Sequence, residues 1–201
     1  MQPRDAPGDG QPGSFEDLSS RLGATIRRLR RAQGLTLVEL AGRAELSNPF
    51  LSQLERGRSR ASMESLHRIA RALGTTTPGL LAASPTEDPV PGVSLTRAGE
   101  GRVVQHALGW TRPLVTGTRA MYPVEFVVTS EQYEQHYQHD AAEMIYLLAG
   151  RLEVDLDVQG THVIDPGDVL YLPGGVRHRW RSPGGRESRA LVVQAGGDPH
   201  A

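Results

Sequence analysis

The chain has 201 residues, and its 22 basic and 23 acidic residues leave a net charge of −1. It contains no cysteine, which excludes disulfides, thiolate metal ligands and cysteine nucleophiles. No apolar run approaches the ~18 residues of a membrane span, and residues 1–14 lack the apolar core of a signal peptide. These exclusions predict a cytoplasmic protein without a membrane partner.

The near-zero net charge conceals a sharp division along the chain. Residues 20–82 carry eleven arginines against four acidic residues, whereas residues 83–201 carry ten arginines against fifteen acidic residues. The basic segment is therefore the one suited to a polyanionic partner.

Composition also separates two candidate domains. Residues 1–19 open with Pro, Gly and Asp and predict a disordered tail. Residues 83–100 contain three prolines and predict a linker. We therefore expect one domain over 20–82, a second over 101–196 and a short tail over 197–201.

Residues 20–82 carry helix signals at regular intervals. Apolar residues at 22, 26 and 29 form the stripe of a first helix. Three capping residues predict the starts of the next three helices: Thr36 with Glu39 in a capping box, Ser47 with Pro49 in the first turn, and Ser62. A last turn is expected at Thr77-Pro78, so this domain is predicted to be all-α.

Beyond residue 100 the apolar pattern changes to a period of two. Short runs rich in β-branched and aromatic residues alternate with Gly/Pro turns. They predict strands over 102–106, 121–128, 144–149, 152–158, 168–172, 178–181 and 190–194. The second domain is therefore predicted to be an all-β sandwich or barrel, and the whole chain an α+β protein of two domains.

The helical segment resembles the Cro/repressor-type family of helix-turn-helix domains, known from xenobiotic-response-element regulators. The resemblance rests on Leu35-Thr-Leu-Val-Glu-Leu-Ala41, on Leu51-Ser-Gln-Leu-Glu-Arg-Gly57 and on the helix that follows. It implies that the helix after Ser47 enters the major groove of double-stranded DNA. Glu45 stands where the family often has a glycine with positive φ, which predicts local strain of ~1 kcal/mol.

Family geometry implies the roles of the residues around that helix. Asn48 and Ser52 would face base edges, Pro49 would pack near the bases, Gln53 would brace the docked backbone, and Thr36 would meet a phosphate at its helix N-terminus. In the loop that follows, Arg56, Arg58 and Arg60 are predicted to contact phosphates without regard to sequence. The resemblance also implies an internal pair between Arg30 and Glu55. A four-helix packing module with a merely solvated arginine face is the alternative.

Two motifs in the second half resemble the cupin family, whose fold is a double-stranded β-helix barrel. They are His139-x3-Glu143-x6-Gly150 and Gly167-x5-Pro173-x-Gly175-x2-His178. The resemblance implies that His139, Glu143 and His178 bind one divalent metal. Tyr137 replaces the first histidine of the family pattern, which leaves a set of two histidines and one carboxylate that suits Fe(II), with Zn as another candidate. A metal-free pocket that retains these polar residues is the alternative.

Aromatic residues complete the predicted pocket. Tyr137 is expected as a fourth ligand or as a pocket hydroxyl, and the other candidates for the lining are Tyr122, Tyr146 and Trp180. The remaining histidines receive no function: His67, His106, His136, His162 and His200.

The two-domain order resembles bacterial transcription regulators in which a cupin senses a small-molecule effector, and it predicts a homodimer that reads two half-sites. The same order also resembles the iron-dependent hydroxypropylphosphonate epoxidases, so a non-haem iron enzyme is the alternative function. In those enzymes the helical domain supplies a lysine to the active site, whereas this chain contains no lysine. A metal-free cupin that serves only for dimerisation is a third interpretation.

Overall fold

The computed structural model describes residues 15–83, 93–117 and 119–196. Its first domain contains five helices, α1 (Phe15–Ala32), α2 (Leu37–Arg43), α3 (Asn48–Glu55), α4 (Met63–Ala72) and α5 (Thr77–Ala82). Helix α1 begins at Phe15, which corrects the tail predicted over 1–19, while residues 1–14 lie outside the described residues. No helix of the described residues is long and apolar enough to cross a membrane.

The predicted caps start the predicted helices. Thr36 accepts from the Glu39 amide while the Glu39 carboxylate accepts from the Thr36 amide at 2.7 Å, so the capping box before α2 is complete. Ser47 and Ser62 accept from the amides three residues further on, at the starts of α3 and α4. The helices pack around one core of aliphatic side chains, of which the largest fully buried ones are Ile26, Leu40, Leu51, Leu54, Leu66, Ile69 and Leu80.

In the part of the chain that the structure describes, the second domain is a barrel of nine strands in two sheets. The strands are β1 (Val104–His106), β2 (Gly109–Pro113), β3 (Met121–Val128), β4 (Glu143–Ala149), β5 (Leu152–Asp155), β6 (Thr161–Ile164), β7 (Val169–Leu172), β8 (Arg179–Arg181) and β9 (Ser188–Ala195). One sheet has the order β1-β2-β3-β9-β4-β7 and the other β6-β5-β8. Their inner faces enclose an apolar core that includes Val124, Ile145, Leu147, Val154 and Val192. This is the architecture expected of a cupin.

Two strands were not predicted from the sequence, and the bounds of several predicted strands differ from the observed ones by a few residues. Strand β2 contains Gly, Arg and Pro, and the first three residues of β6 are all exposed, so neither shows a clear apolar alternation. Of the predicted linker over 83–100, residues 84–92 lie outside the described residues, whereas 93–100 contain no helix or strand.

Helix α5 joins the two domains. Gly79 of this helix lies against Tyr122 of β3, where a Cβ would come within 3.0 Å of the ring. The Gly117 amide donates to the Ala82 carbonyl at 2.9 Å, and Val104 of β1 packs against the helical core. The helical domain therefore contacts the barrel directly through packed side chains.

Gly23→Ala and Gly42→Ala test the packing that holds α3 in place. A Cβ at Gly23 of α1 would overlap the Leu54 carbonyl oxygen of α3, whereas one at Gly42 of α2 meets nothing within 4 Å. We expect Gly23→Ala to lower the free energy of unfolding by about 1–3 kcal/mol through overpacking, and Gly42→Ala to raise it by about 0.5–1 kcal/mol through helix propensity. Urea denaturation measures both, and equal effects of the two substitutions would contradict the close approach.

Candidate DNA-binding surface and metal centre

Helices α2 and α3 are joined by a tight turn at Glu45. Its φ of +54° places this residue in the left-handed region that favours glycine, as the sequence pattern predicted. The Leu46 amide donates to the Ala41 carbonyl at 2.9 Å across the turn. The turn thus sets the direction of α3 although it lacks the favoured glycine.

Helix α3 has one buried and one exposed face. Leu51 and Leu54 are buried against the helical core, and the N-terminal residues Asn48 and Pro49 are exposed on the other side. One turn further on, Gln53 is exposed and Ser52 is half-buried. The structure therefore brings the four predicted α3 residues to the solvent side of the helix that is suited to a groove.

The predicted phosphate contacts flank this face. Arg56, Arg58 and Arg60 are exposed in the segment after α3, and Thr36 is exposed at the start of α2. Gly57 adopts a φ of +70°, and the Arg58 amide donates to the Gln53 carbonyl at 2.8 Å, which ends α3 and turns the chain. All eight predicted DNA-binding residues thus belong to one continuous segment around α2 and α3.

The predicted pair between Arg30 and Glu55 forms inside the domain. The Arg30 guanidinium donates to both carboxylate oxygens of Glu55, at 2.7 and 2.9 Å, and also to the Leu35 carbonyl at 2.7 Å. Both side chains are about nine-tenths buried. The bidentate pair fixes the C-terminal end of α3 to α1 and thereby orients the exposed face.

The three residues of the predicted metal site meet inside the barrel. Glu143 begins β4, His178 precedes β8, and the loop carrying His139 is joined to the Gly175 turn by a 2.9 Å hydrogen bond. The Nε2 atoms of His139 and His178 lie 3.2 and 3.7 Å from the Glu143 carboxylate oxygens. One ligand atom from each residue falls within 4.8 Å of the others. This is the only such cluster among the described residues that were searched.

Backbone carbonyls orient both imidazoles. The Nδ1 atom of His139 lies 2.7 Å from the Ala141 carbonyl oxygen, and that of His178 lies 3.0 Å from the Val176 carbonyl oxygen. Because a carbonyl only accepts, each Nδ1 carries a proton, and each Nε2 atom faces the Glu143 carboxylate. Metal-binding histidines are usually held in this way.

Unpaired polar atoms provide a test of whether a metal fits. His139 Nε2 and Glu143 Oε1 are buried without a hydrogen-bond partner among the described residues. The other Glu143 oxygen accepts from the Gln194 amide at 2.6 Å. Two imidazole nitrogens and one carboxylate are suitable ligands for a divalent ion, and a cation would satisfy the two unpaired atoms. The residues therefore fit a divalent metal.

The charged groups of the cluster shift one another's pKa values. Burial alone would raise the pKa of Glu143, but the contacts with His139 and His178 lower it. Burial alone would likewise lower the pKa of His139, and the Glu143 carboxylate raises it. For His178, burial prevails and lowers the pKa. Glu143 is thus held as a carboxylate, the form that binds a cation.

Tyr137 does not serve as a metal ligand in this geometry. Its hydroxyl donates to the Glu134 carboxylate, and burial together with this hydrogen bond raises the pKa of Tyr137. His136 is not part of the cluster, and its Nε2 atom lies 3.3 Å from the Asp155 carboxylate. Of the two predicted roles of Tyr137, the structure favours the pocket hydroxyl.

A cavity of about 80 Å³ adjoins the cluster. Tyr137 and Trp180 line it, as predicted, but Tyr122 and Tyr146 do not. Tyr146 is three residues from Glu143 on β4, so strand alternation places it on the opposite face of the sheet. Tyr122 lies under α5, where its hydroxyl accepts from the Arg119 amide at 3.1 Å. These two lining predictions are therefore corrected.

The helical domain also contributes to this cavity, which the sequence did not predict. Its lining includes Met63 and His67 of α4 and Thr77, Pro78 and Leu81 of α5. His67 was left without a function, yet its Nε2 atom lies 2.6 Å from the carbonyl oxygen of Gln138, next to His139. Nothing in the local pattern of α4 reveals this contact, because it depends on how the domains pack.

Comparison with known proteins supports the assignment of both domains. The family model described as a helix-turn-helix domain matches residues 21–83, and the model described as a cupin domain matches residues 124–194. A transcriptional regulator of the HTH_3 family from Vibrio cholerae has a similar fold, with a TM-score of 0.67 and 17% identity over 90% of this chain and 98% of that chain. The architecture is thus that of a helix-turn-helix domain followed by a cupin.

Sequence relatives specify the class further. The HTH-type transcriptional regulator DdrOP3 of Deinococcus deserti is 46% identical over 28% of this chain, and the match spans 43% of that protein. The uncharacterized HTH-type transcriptional regulator y4dJ of Sinorhizobium fredii is 38% identical over 36% of this chain and 91% of its own length. The chain belongs to the family of HTH-type transcriptional regulators and carries a C-terminal cupin domain.

Proposed function

We propose that this chain is a DNA-binding transcription regulator whose cupin domain senses a small-molecule effector through a bound divalent metal. One observation carries the proposal: α4 and α5 of the helix-turn-helix domain line the same cavity as His139, Glu143 and His178. A molecule bound there would contact both domains at once.

The DNA-binding half of the proposal is supported by the exposed α3 face and its arginine flank. Asn48 carries an amide that is able to bond an adenine edge with two hydrogen bonds, and it is exposed at the start of the reading helix. Thr36, Pro49, Ser52 and Gln53 share its surroundings, and Arg56, Arg58 and Arg60 supply the positive charge. We assign these residues to the interface with double-stranded DNA.

The sensing half follows from thermodynamic linkage. An effector that prefers one arrangement of the helical domain must change DNA affinity by the same coupling free energy with which DNA changes effector affinity. The hydrogen-bonding contact between His67 and the Gln138 carbonyl and the packing of Gly79 on Tyr122 provide the contacts through which the arrangement can be altered.

A homodimer is the assembly that this function requires, because two half-sites are read by two helix-turn-helix domains. The outer face of the larger sheet supports a second copy as the partner. Met144 is paired with Tyr171 and Val193 across neighbouring strands, and Tyr146 with Val169 and Leu191, so six apolar side chains share this face. Tyr171 and Val169 are 64% and 58% exposed, as expected of an interface that the partner covers.

Asn48→Ala and Arg58→Ala separate sequence reading from phosphate binding. We expect Asn48→Ala to cost about 1–3 kcal/mol on the specific site only, and Arg58→Ala to weaken all duplexes and lower the salt slope by about one. Arg177→Ala, at an exposed cupin residue, is the control. Fluorescence anisotropy with a promoter-derived and a scrambled duplex at several salt concentrations measures these effects. If Asn48→Ala keeps the full discrimination of the wild type, the assigned reading face is incorrect.

Metal binding is tested with His139→Ala and Glu143→Gln against His162→Ala, which changes an exposed histidine of β6. After reconstitution with Fe(II) or Zn(II) and equilibrium dialysis, we expect about one metal per chain in the wild type and in His162→Ala, and a 10–100-fold loss of affinity or more in the other two variants. Elemental analysis measures the content. A reconstituted wild type without metal would contradict the site, and oxygen consumption by the Fe(II) form with a small organic acid would instead favour the enzyme.

The dimer surface is tested with Tyr171→Arg. Burying an unpaired charge in an apolar interface is costly, so we expect a monomer and weaker binding to a two-half-site operator. Val158→Arg, at a residue 94% exposed in the turn before β6, is the matched control. Sedimentation velocity reports the state, and a Tyr171→Arg dimer as stable as the wild type would place the interface elsewhere.

A further inference from the structure

The cavity beside the metal cluster has a composition that restricts what it can bind. Outside the cluster, eight of its lining residues are apolar, among them Leu108, Val124, Phe126, Trp180 and Val192 from the barrel. The other seven are polar or titratable: His67, Thr77, His106, Thr111, Glu134, Tyr137 and Gln194. An apolar cavity of about 150 Å³ holds benzene, whereas this one has about 80 Å³. The space beside the cluster is therefore about half that of a cavity that holds benzene.

The charged groups of the cavity restrict the ligand's charge. Two carboxylates, those of Glu134 and Glu143, line it, and none of its described lining residues is an arginine. A divalent ion held by the cluster would be balanced by these two carboxylates. A neutral ligand or a single anionic group is then compatible with the site, whereas a dianion adds unbalanced negative charge in a partly desolvated space.

Arginine does occur in the adjoining cleft of about 310 Å³. Arg71 lines that cleft together with His67 and Thr77, and the last two residues also line the cavity. Arg71 lines the cleft but not the cavity, so His67 and Thr77 stand between a ligand in the cavity and the Arg71 guanidinium.

The helical domain supplies one apolar wall of the cavity. Met63 of α4 and Pro78 and Leu81 of α5 line the cavity together with the cluster. Leu81 belongs to the helical core, whereas Met63 is only packed against its edge. Met63 is therefore the wall residue that can be shortened with least damage to the domain.

We propose that the effector of this site is a compact, mostly apolar molecule with one metal-binding group and at most one negative charge, and that Met63 of the DNA-binding domain limits the size of its body. This inference rests on the proposed function. It assigns ligand selection to both domains, because the cluster and its carboxylates select the head group while α4 and α5 select the body.

Head-group selection is tested with three probes that share an ethyl group: propionamide, propionate and ethylphosphonate at a pH where it is dianionic. Binding to the full-length, Zn(II)-loaded protein is followed by tryptophan fluorescence, since Trp180 lines the cavity, and by the melting temperature. We expect the first two probes to bind at least about tenfold more tightly than ethylphosphonate. Tighter or equal binding of ethylphosphonate overturns the inference, as does a lack of binding by all three.

Body selection is tested with Met63→Ala and the control Met121→Ala, which shortens a methionine that is 59% exposed on β3. We expect Met63→Ala to change the affinity ratio of cyclohexanecarboxylate to propionate about tenfold in favour of the larger acid, and Met121→Ala to leave the ratio unchanged. A folded Met63→Ala protein with the wild-type ratio removes Met63 from the wall.

Zinc content and operator affinity of the same samples are measured independently of the probes. Protein that holds no zinc contradicts the metal site and, with it, the metal-binding head group, while the role of Met63 in limiting the body is still decided by the affinity ratio. Protein that holds zinc and binds its operator but prefers ethylphosphonate supports the proposed function and overturns the ligand inference.

Discussion

The buried carboxylate of Glu143 is the constraint around which the barrel interior is arranged. Its side chain is only 2% exposed, and a charge in that position is tolerated only when charged or hydrogen-bonding partners surround it. Those partners arrive from separate parts of the chain: Gln194 from β9, His139 from the loop before β4, and His178 from the turn before β8. Closure of the sheets is thus what makes the cluster possible, and the cluster in turn restricts how the sheets can close.

The same cluster explains why the position of the helical domain matters. A cavity beside a charged group needs a cover that limits the entry of water, and α4 and α5 provide part of it through Met63 and Leu81. The contact between Gly79 and Tyr122 leaves no room for a larger residue, so α5 lies close to β3. The domain that carries α3 therefore shares one cavity with the cluster.

Local chemistry made much of this predictable from the sequence. Thr36, Ser47 and Ser62 cap helices through contacts within three residues, so the helical domain could be predicted nearly element by element. The spacing of His139 and Glu143, with His178 after the Pro-Gly turn, likewise predicted a cluster that the fold assembles. Long-range packing could not be predicted in this way. Tyr122 lies at an inward-facing position of β3 but packs against α5. His67 contacts the Gln138 carbonyl only because the two domains pack together.

Tyr137 occupies the position of the first histidine of the family pattern, and this replacement affects ligand selection. A histidine at this position would add a neutral metal-binding nitrogen to the cluster. The tyrosine hydroxyl instead donates a hydrogen bond to the Glu134 carboxylate, which lines the cavity. One replacement therefore has two effects. In the proposed metal site, three protein ligands would leave open coordination positions for an exogenous group, and a second carboxylate would lie near the metal. Under the proposed function, the first effect would favour a site that accepts a ligand, and the second would limit the charge that this ligand carries.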